Sequence, residues 1–461
     1  MRRRLFLRFA SVLLVASGML IAGLVTAGAA LRVATFQCDV TPPPDGHPLI
    51  WVVPVKEVET PLLAKGVLID DGRQRYVLCA MDWCGLCNSS YELFCRKMAR
   101  AVDTARDCVS LHCVHQHTAP YTDGDAQRIL DQLPEPPRYV DFGFLERVSS
   151  RVARAAADAI GRLTPFNQIG TGRAKVERVA SIRRILMPDG RLVGRMSSCK
   201  NPQIRALPEG PIDPFLRTIT FARDGQPLVR LHFYATHPQT FYGDPRASAD
   251  MPGFARVRLQ KEEGVFQVYF TGCAGDVAMG KYNDGSRKAR DALTERLYQA
   301  MRASAASTKY RPVRSLHWRH LDLTLPPRDD DGRPLEKSRA LAADPKANVV
   351  RRIRAATHVA YAQRADRPLP LNLLELDGAA ILMLPGECMV AYQHFALSLK
   401  ADRFLAVAAY SDLGPGYICT ERSFEEGGYE PSASRVAPES ERILKAAIRK
   451  LLAPPPPAAS Q

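Results

Sequence analysis

The stretch CVSLHCVHQHTAPYT, residues 108–122, carries the strongest indication of both fold and function. Its apolar run Val109–Val114 predicts a short buried strand, although a run of this length is also compatible with a helix. In an extended chain, His115 and His117 project from the same face. Pro120 then ends the strand, because proline cannot donate to a sheet. Two histidines at a strand end form half of a metal site; a hydrogen-bonded pair at a sheet edge is the alternative interpretation.

Two later strands end in the same way, with a residue that can bind a metal beside a proline or glycine. Leu228–Thr236 is followed by His237, and the hairpin Leu371–Leu384 is followed by Glu387. Ligand sites of α/β sheets usually lie at strand ends, and zinc accepts imidazole and carboxylate ligands. Tyr417, in a glycine-rich turn, is a candidate fourth ligand. Taken singly, a strand-end glutamate is more often a solvated cap, and a tyrosine is more often a packing residue.

Strands and helices alternate along the chain, which predicts an α/β fold with β-sheets flanked by helices. The sequence shows no internal repeat and no linker, so we expect a single large domain. Asp-Gly turns and apolar periodicity predict three hairpins, at Leu63–Trp83, Leu216–Thr236 and Leu371–Leu384. Helices are predicted at Asn88–Asp103 with Asn88 or Ser89 as N-cap, Phe144–Leu163, Gly253–Glu263, Ser286–Ala303, Ser338–Arg364, Cys388–Lys400 and Ser440–Leu452.

The two chain ends are expected to lie outside this fold. A basic start is followed by an apolar, uncharged run over residues 9–30, and Ala27-Gly28-Ala29 fits a small-x-small cleavage pattern. Residues 1–30 are therefore predicted to be a signal peptide, with an uncleaved membrane anchor as the alternative. The proline-rich residues 454–461 are predicted to be a disordered tail. The mature protein is expected to be secreted, periplasmic or part of the cell envelope.

The net charge of +15 favours binding to anionic envelopes or an anionic membrane surface. Nucleic acid is not expected as a partner, because no aromatic-interleaved basic strip or helix-turn-helix pattern is present. The eleven cysteines are an odd number, and in an oxidising compartment some of them can pair. Cys84-x-x-Cys87 lacks the second half of a zinc ribbon, whereas Cys79 and Cys113 have the surroundings of small core residues.

Several short segments stand in a characteristic order along almost the whole mature chain: Asp39-Val40-Thr41-Pro42, Asp82, His115-Gln116-His117-Thr118-Ala119-Pro120, Ala235-Thr236-His237, Gly275-Asp276-Val277, Leu384-Pro385-Gly386-Glu387, Tyr417-Ile418-Cys419-Thr420 and Tyr429-Glu430. This ordered set resembles the N-terminal catalytic domain of the neutral/alkaline ceramidase family. The resemblance covers residues 31–453 and implies that family's fold, with mixed β-sheets in a single large domain.

The resemblance also implies a site and a reaction. One Zn²⁺ per chain would be held by four ligands: His115, His237, Glu387 and Tyr417. His117 would act as general base and then acid, and Arg183 would stabilise the oxyanion. The implied function is a secreted zinc-dependent amidohydrolase that cleaves the N-acyl amide of ceramide or a related lipid through a zinc-activated water.

The chain departs from the family at a turn and at its end. The family's serine, often proposed as nucleophile or substrate contact, falls at Ala278, close to Cys273 and Asp276. Cys273 either takes over a role there or is a small buried residue. The family's C-terminal immunoglobulin-like domain has no counterpart after Glu430. These departures keep two alternatives open: a metallohydrolase for a different N-acyl amide or an ester, and a non-catalytic envelope protein that keeps the fold. An amidohydrolase barrel fits the ligand spacing less well.

Overall fold

Three mixed β-sheets flanked by helices form the core of the protein in the computed structural model, which describes residues 30–364, 366–400 and 403–454. The predicted α/β fold is confirmed. Apart from Ala30 and Pro454, the predicted signal peptide and proline-rich tail lie outside the described residues. No helix in the described part of the chain is both long enough and apolar enough to cross a bilayer.

The three sheets are built from the predicted hairpins and their neighbours. The first has five strands in the order Val109–Cys113, Arg75–Met81, Leu63–Asp70, Arg32–Asp39 and Thr164–Pro165. The second has five strands in the order Phe266–Thr271, Gln226–Tyr234, Phe215–Arg223, Gln168–Lys175 and Lys309–Pro312. The third has four strands in the order Leu316–Leu323, Leu369–Leu376, Ala379–Met383 and Phe404–Ala408.

One supersecondary unit occurs once in each sheet. An antiparallel hairpin is followed by a helix and then by a strand that pairs in parallel with the second hairpin strand. These parallel edge strands are Val109–Cys113, Phe266–Thr271 and Phe404–Ala408. The sequence shows no repeat because each unit has its own core side chains, and only the backbone arrangement is shared.

Twelve helices cover the sheets in the described residues: Asn88–Ala101, Gly124–Leu130, Phe142–Asp158, Pro202–Ala206, Asp250–Glu263, Arg287–Ala306, Leu335–Ala343, Val349–Gln363, Val390–Leu399, Glu421–Glu426, Tyr429–Ala433 and Ser440–Leu452. Phe142–Asp158 is typical of them. Asp141 caps its start by accepting from the amide of Phe144 at 2.9 Å. Its apolar residues at helical spacing, among them Val148 and Val152, are fully buried.

Two helix predictions need correction. The segment predicted as one helix over Ser338–Arg364 is two helices, because Asn348 caps the start of a second helix with its side chain. We call Leu335–Ala343 and Val349–Gln363 the insertion helices. Asn88 is not an N-cap. Its φ is +54°, and its side-chain Nδ2 instead donates to Asp123 Oδ2 at 2.7 Å.

Small two-stranded pairs lie between the sheets and the site. Glu387–Cys388 pairs in parallel with Tyr417–Ile418, and Ser181–Ile182 pairs antiparallel with Val277–Ala278. The remaining pairs are Gly85–Cys87 with Tyr121–Asp123, Arg184–Leu186 with Leu192–Gly194, and Glu57–Val58 with Arg246–Ala247.

The question of cysteine pairing, which the sequence leaves open, is answered by the structure. All eleven cysteines fall within the described residues, and each is a free thiol. Cys84 and Cys87 show why the C-x-x-C spacing gives no bond. The Cys84 sulfur faces the His115 ring, whereas the Cys87 sulfur contacts the Tyr121 hydroxyl at 3.1 Å.

Candidate metal centre

The carboxyl ends of the three parallel edge strands meet at one point, beneath the site. The Cys113 amide donates to the Tyr410 carbonyl at 2.9 Å. The Thr271 hydroxyl donates to the Val114 carbonyl at 2.7 Å, and the Ala409 amide donates to the Thr271 carbonyl at 2.9 Å. His115 follows the first of these edge strands. His237 and Glu387 follow the strands Gln226–Tyr234 and Ala379–Met383, which pair in parallel with the other two edge strands and so end beside them.

His115, His237 and Glu387 converge there. The Nε2 atoms of the two histidines are 3.1 Å apart. Glu387 Oε2 lies 3.3 Å from His115 Nε2 and 3.2 Å from His237 Nε2. All three side chains are buried. In a tetrahedral zinc site with bonds of about 2.0–2.1 Å, neighbouring ligand atoms are about 3.3–3.4 Å apart. The three observed separations fit that geometry.

The positions of the imidazole protons show that no hydrogen lies between His115 Nε2, His237 Nε2 and Glu387 Oε2. His115 Nδ1 lies 2.6 Å from the Cys84 carbonyl, and His237 Nδ1 lies 2.6 Å from the Ala274 carbonyl. Because a carbonyl only accepts, each Nδ1 carries the proton and each Nε2 presents a lone pair. Buried Glu387 Oε2 has no hydrogen-bond donor among the described residues. Three buried lone pairs that face one another fit a bound cation.

Burial and the cluster itself set the protonation states. Burial lowers the pKa of His237 to about 4, with a further contribution from the nearby Arg183 charge. For Glu387, burial alone would raise the pKa, but the adjacent His115 and His237 hold it well below its usual range. Neutral imidazoles beside a carboxylate are the forms that bind zinc.

A second set of potential ligands, Cys84, His115 and His117, lies beside the first. It fits a metal less well. The Cys84 sulfur is 3.8 Å from His115 Nδ1, the ring edge already bound to a carbonyl. Burial, with the Glu387 charge, raises the pKa of the Cys84 thiol well above its usual value, and zinc binds the thiolate rather than the thiol.

Unusual backbone angles place the ligands. His115 has a φ of +72°, a left-handed conformation that is uncommon for a residue other than glycine. Gly386, just before Glu387, has a φ of +65°, and a Cβ there would lie 2.8 Å from Ile418. The histidine pair is therefore not the extended i, i+2 pair that the sequence predicts. The strand ends at Cys113, and the chain turns at His115.

Tyr417, the predicted fourth ligand, lies beside the cluster. Its ring is nearly parallel to that of His237, with centroids 6.3 Å apart. Its hydroxyl accepts a hydrogen bond from Arg183 Nη2 at 3.1 Å. Burial raises its pKa well above the usual value, an effect that the Arg183 charge opposes. Its ligation of a metal stays a prediction.

His117 and Arg183, the predicted catalytic groups, both border the cluster. His117 Nε2 lies 3.4 Å from His115 Nε2, and its buried Nδ1 has no partner among the described residues. Burial, together with His115 and His237, lowers the pKa of His117 well below its usual value. Arg183 is held by Glu430 Oε1 through Nη2 at 2.7 Å and Nε at 3.0 Å. Their catalytic roles stay predictions.

The predicted turn residues support the cluster from behind. Asp276 Oδ1 accepts the Val390 amide at 2.8 Å, at the start of the helix after Glu387, and burial raises its pKa to about 6. Ala278 is fully buried and pairs with Ser181 in the small sheet. Cys273 is also fully buried, and burial, with Cys388 beside it, raises its pKa well above the usual value.

Three features that surround the candidate metal site were not assigned from the sequence. Tyr410 is fully buried with its ring 4.5 Å from that of His115, and its hydroxyl lies 3.4 Å from His237 Nδ1. Glu430 binds both Arg183 and Arg184, and the Tyr429-Glu430 motif was its available signal. The third feature is the first insertion helix with its flanking residues, which cover one side of the site. No motif marked either insertion helix.

The cluster lies at the base of a cavity of about 320 Å³ that the insertion helices help to line. A neighbouring cavity of about 340 Å³ shares five of its lining residues: Trp51, His117, Arg354, Tyr417 and Tyr429. The site can therefore accept a substrate with two arms that diverge near His117.

Comparison with known proteins matches this architecture. Over 92% of the chain, the fold superposes on the crystal structure of neutral ceramidase from Pseudomonas aeruginosa with a TM-score of 0.66, covering 73% of that chain at 15% sequence identity. The chain has a neutral-ceramidase-like fold. A second solved structure, described as ceramidase complexed with C2, matches 92% of this chain and 74% of its own at a TM-score of 0.64 and 13% identity.

No family model and no curated protein sequence matches the chain. At these identities, the shared neutral-ceramidase-like fold is what the structural matches establish. The resemblance stated from the ordered motifs is confirmed at that level.

Proposed function

We propose that the protein is a secreted zinc-dependent amidohydrolase of ceramidase type, active on the N-acyl amide of a lipid or related molecule. The observation that carries the proposal is the convergence of three buried lone-pair donors at the base of a cavity. The neutral-ceramidase-like fold supports it.

The residues fit one zinc ion per chain. His115, His237 and Glu387 would hold it, and Tyr417 is the proposed fourth ligand. Zinc in such a site lowers the pKa of water and polarises a carbonyl group. The Cys84 and Ala274 carbonyls fix both histidine tautomers, so the two Nε2 lone pairs remain directed into the site.

His117 and Arg183 would carry the proton and the charge. His117 is a buried neutral imidazole that can accept a proton from the attacking water and deliver it to the nitrogen of the amine that leaves. The water oxygen bonds to the carbonyl carbon, the C–N bond breaks, and a carboxylic acid and an amine result. Among the described residues, Arg183 Nη1 has no hydrogen-bond partner, so it can donate to the oxyanion.

This chemistry does not depend on a nucleophile at Ala278. Ala278 and Cys273 are fully buried, and the Cys273 thiol is kept protonated by burial beside Cys388. Direct attack by water agrees with both observations.

Metal content and amide hydrolysis test the proposal together. The purified wild-type protein should contain one zinc per chain and release fatty acid from N-acyl amides. His237→Ala should lose the metal and lower the rate by roughly 100-fold or more. His394→Ala, which removes an exposed histidine, should change neither. Glu387→Gln, nearly the same shape, repeats the test with less risk to folding. A metal-free variant that keeps full activity would refute the proposal.

A further inference from the structure

The cavity above the metal centre is strongly cationic. Five basic side chains line it: Arg333, Lys337, Arg351, Arg354 and Arg435. Among the described residues that line this cavity, Glu387 is the sole carboxylate, and it faces the two histidines. Four of the five cations come from the insertion helices or from residue 333 just before them.

Among the described residues, these five cations have no carboxylate partner, although Arg435 is buried and Arg333 and Arg354 are half-buried. Arg333 Nη1 donates to the Ser432 and Ser434 carbonyls, both at 2.9 Å. Arg435 Nη1 donates to the Leu413 and Gly414 carbonyls, both at 3.0 Å. In the part of the chain that the structure describes, none of the five forms an ion pair. Carbonyls fix a guanidinium in position but leave its net charge uncancelled.

The positive charges are close enough to affect one another. Burial lowers the pKa of Arg333 to about 9, and the charges of Arg435, Arg328 and Arg354 add to the effect. The Nε atom of buried Arg435 has no hydrogen-bond partner among the described residues. A cavity with uncancelled positive charge and a spare buried donor is suited to bind an anion.

Arg354 is the cation whose contacts lead from the cationic cavity to the candidate metal site. Its guanidinium lies 4.1 Å from the centroid of the Trp51 ring and donates to the Tyr429 hydroxyl at 2.9 Å. Tyr429 packs against Tyr417, with ring centroids 5.7 Å apart. An anionic group a few bonds from the scissile amide can thus reach the cations.

The neighbouring cavity has a different character. Met196, Phe241 and Tyr242 line it beyond His117, and Tyr242 is 73% exposed. Arg183 and Arg354 lie at the end that it shares with the site, and the polar groups farther out are Ser197, Ser198 and Gln239, with Ser197 donating to Gln239 at 2.7 Å. A cavity with an apolar wall and an exposed aromatic ring at its opening is suited to bind a hydrocarbon chain.

We propose that the preferred substrate is an N-acyl amide whose amine portion bears a carboxylate, rather than an uncharged lipid amide. The carboxylate lies among the five cations, and the acyl chain lies along Phe241 and Tyr242. This inference rests on the amidohydrolase function proposed above and names the substrate class of the same site.

A matched pair of substrates tests the preference. N-dodecanoylglycine and N-dodecanoylethanolamine have the same acyl chain and nearly the same length, and they differ in carboxylate against hydroxymethyl. We expect kcat/KM to be higher for the glycine amide by roughly tenfold or more, mainly through KM. Equal values for the two amides would overturn the proposal.

Removing positive charges at the opening of the cavity tests whether the lining cations cause the preference for the glycine amide. Lys337→Gln with Arg351→Gln removes two exposed lining cations, and the glycine-to-ethanolamine ratio should fall by about tenfold. Arg339→Gln with Lys346→Gln is the matched control, because both residues are exposed on the same segment and neither lines the cavity. An unchanged ratio in the first double variant contradicts the assignment.

A binding measurement separates this inference from the proposed function. If neither amide is hydrolysed, the amidohydrolase proposal fails, and both ligands are then titrated against the His237→Ala protein by Trp51 fluorescence. Trp51→Phe gives the background from the other tryptophans. Removing the metal also prevents direct carboxylate coordination to zinc. Tighter binding of the glycine amide supports the anion site by itself, and equal binding refutes it.

Discussion

Buried arginines are stabilised in two different ways in two regions of this protein. In the first region, Arg256 forms a two-pronged pair with Asp82, with nitrogen–oxygen distances of 2.9 and 2.7 Å, and Arg183, beside the cluster, pairs with Glu430. Above the site, Arg333 and Arg435 are bound by backbone carbonyls.

The difference separates cations whose charge a carboxylate already balances from cations whose charge a bound anion can balance. A buried ion pair is electrically satisfied, and losing one partner leaves a costly bare charge. A guanidinium held by carbonyls keeps its net charge, so a bound anion gains from it. This contrast predicts that substitutions in the two regions will affect stability to very different extents.

Asp82→Asn should have the largest effect on stability. Asp82 and Arg256 are both almost fully buried, so the variant leaves an unpaired buried cation and should lower the free energy of unfolding by about 3–5 kcal/mol. Denaturant unfolding measures the change. The control is Asp189→Asn in the exposed Asp189–Arg191 pair, where the change should be under about 1 kcal/mol. Similar losses of unfolding free energy in both variants would show that the buried pair is no more important for stability than the exposed pair.

Glu430→Gln should have a smaller effect, about 1.5–3 kcal/mol. Arg183 keeps its bond to Tyr417, and Arg184 keeps Glu426 at 3.2 Å, so neither arginine is left without a partner. Activity should fall further than stability accounts for, because Arg183 is no longer fixed beside Tyr417. Comparing kcat with the unfolding midpoint distinguishes positioning from simple destabilisation. A variant with unchanged kcat would argue against a role for Arg183.

Lys65→Met should change the pH dependence of stability. Burial, with the nearby Arg256 charge, lowers the pKa of Lys65 to about 7. The folded protein therefore binds fewer protons than the unfolded chain between about pH 7 and 10, and wild-type stability should rise with pH there by at most about 1.4 kcal/mol per unit. Lys65→Met, close in volume, should lose that rise. An identical pH profile in unfolding experiments would contradict the prediction.

Arg333→Gln should have the smallest effect on stability. Removing an unpaired cation that other cations repel should leave the free energy of unfolding within about 1 kcal/mol of the wild-type value. Thermal unfolding at low ionic strength, where repulsion is least screened, is the sensitive measurement. A loss as large as that for Asp82→Asn would mean that the cavity cations are structural, and the anion site would lose its basis.

Most secondary structure could be predicted because it depends on local pattern. The Leu63–Asp70 and Arg75–Met81 hairpin has apolar strands around an Asp-Gly turn, and the structure matches it closely. The three residues of the candidate metal site were singled out because each follows a strand beside a proline or glycine, and the structure brings them together. Their binding of a metal stays a prediction. The two insertion helices were predicted as one, although the sequence carries a stop signal at Asp344-Pro345 and an N-cap for the second helix at Asn348.

Tertiary contacts determined the features of the site that the sequence pattern could not predict. His115 adopts a left-handed φ that its sequence neighbours do not require, and Tyr410 packs against it from a strand almost 300 residues later. The eleven cysteines are free thiols, and Cys273 and Cys388 lie side by side although they are more than 100 residues apart in sequence. No single-sequence pattern records which side chains face each other across three sheets.

The sequence by itself determined which residues can bind a metal and which strands present them, because ligand chemistry and strand period are local properties. The tertiary structure decided that His115, His237 and Glu387 meet with their lone pairs directed at one another. It also decided that five cations share one cavity in which they have no carboxylate partner among the described residues. Distances and charge balance depend on how distant segments pack, so they exist only once the three sheets have come together.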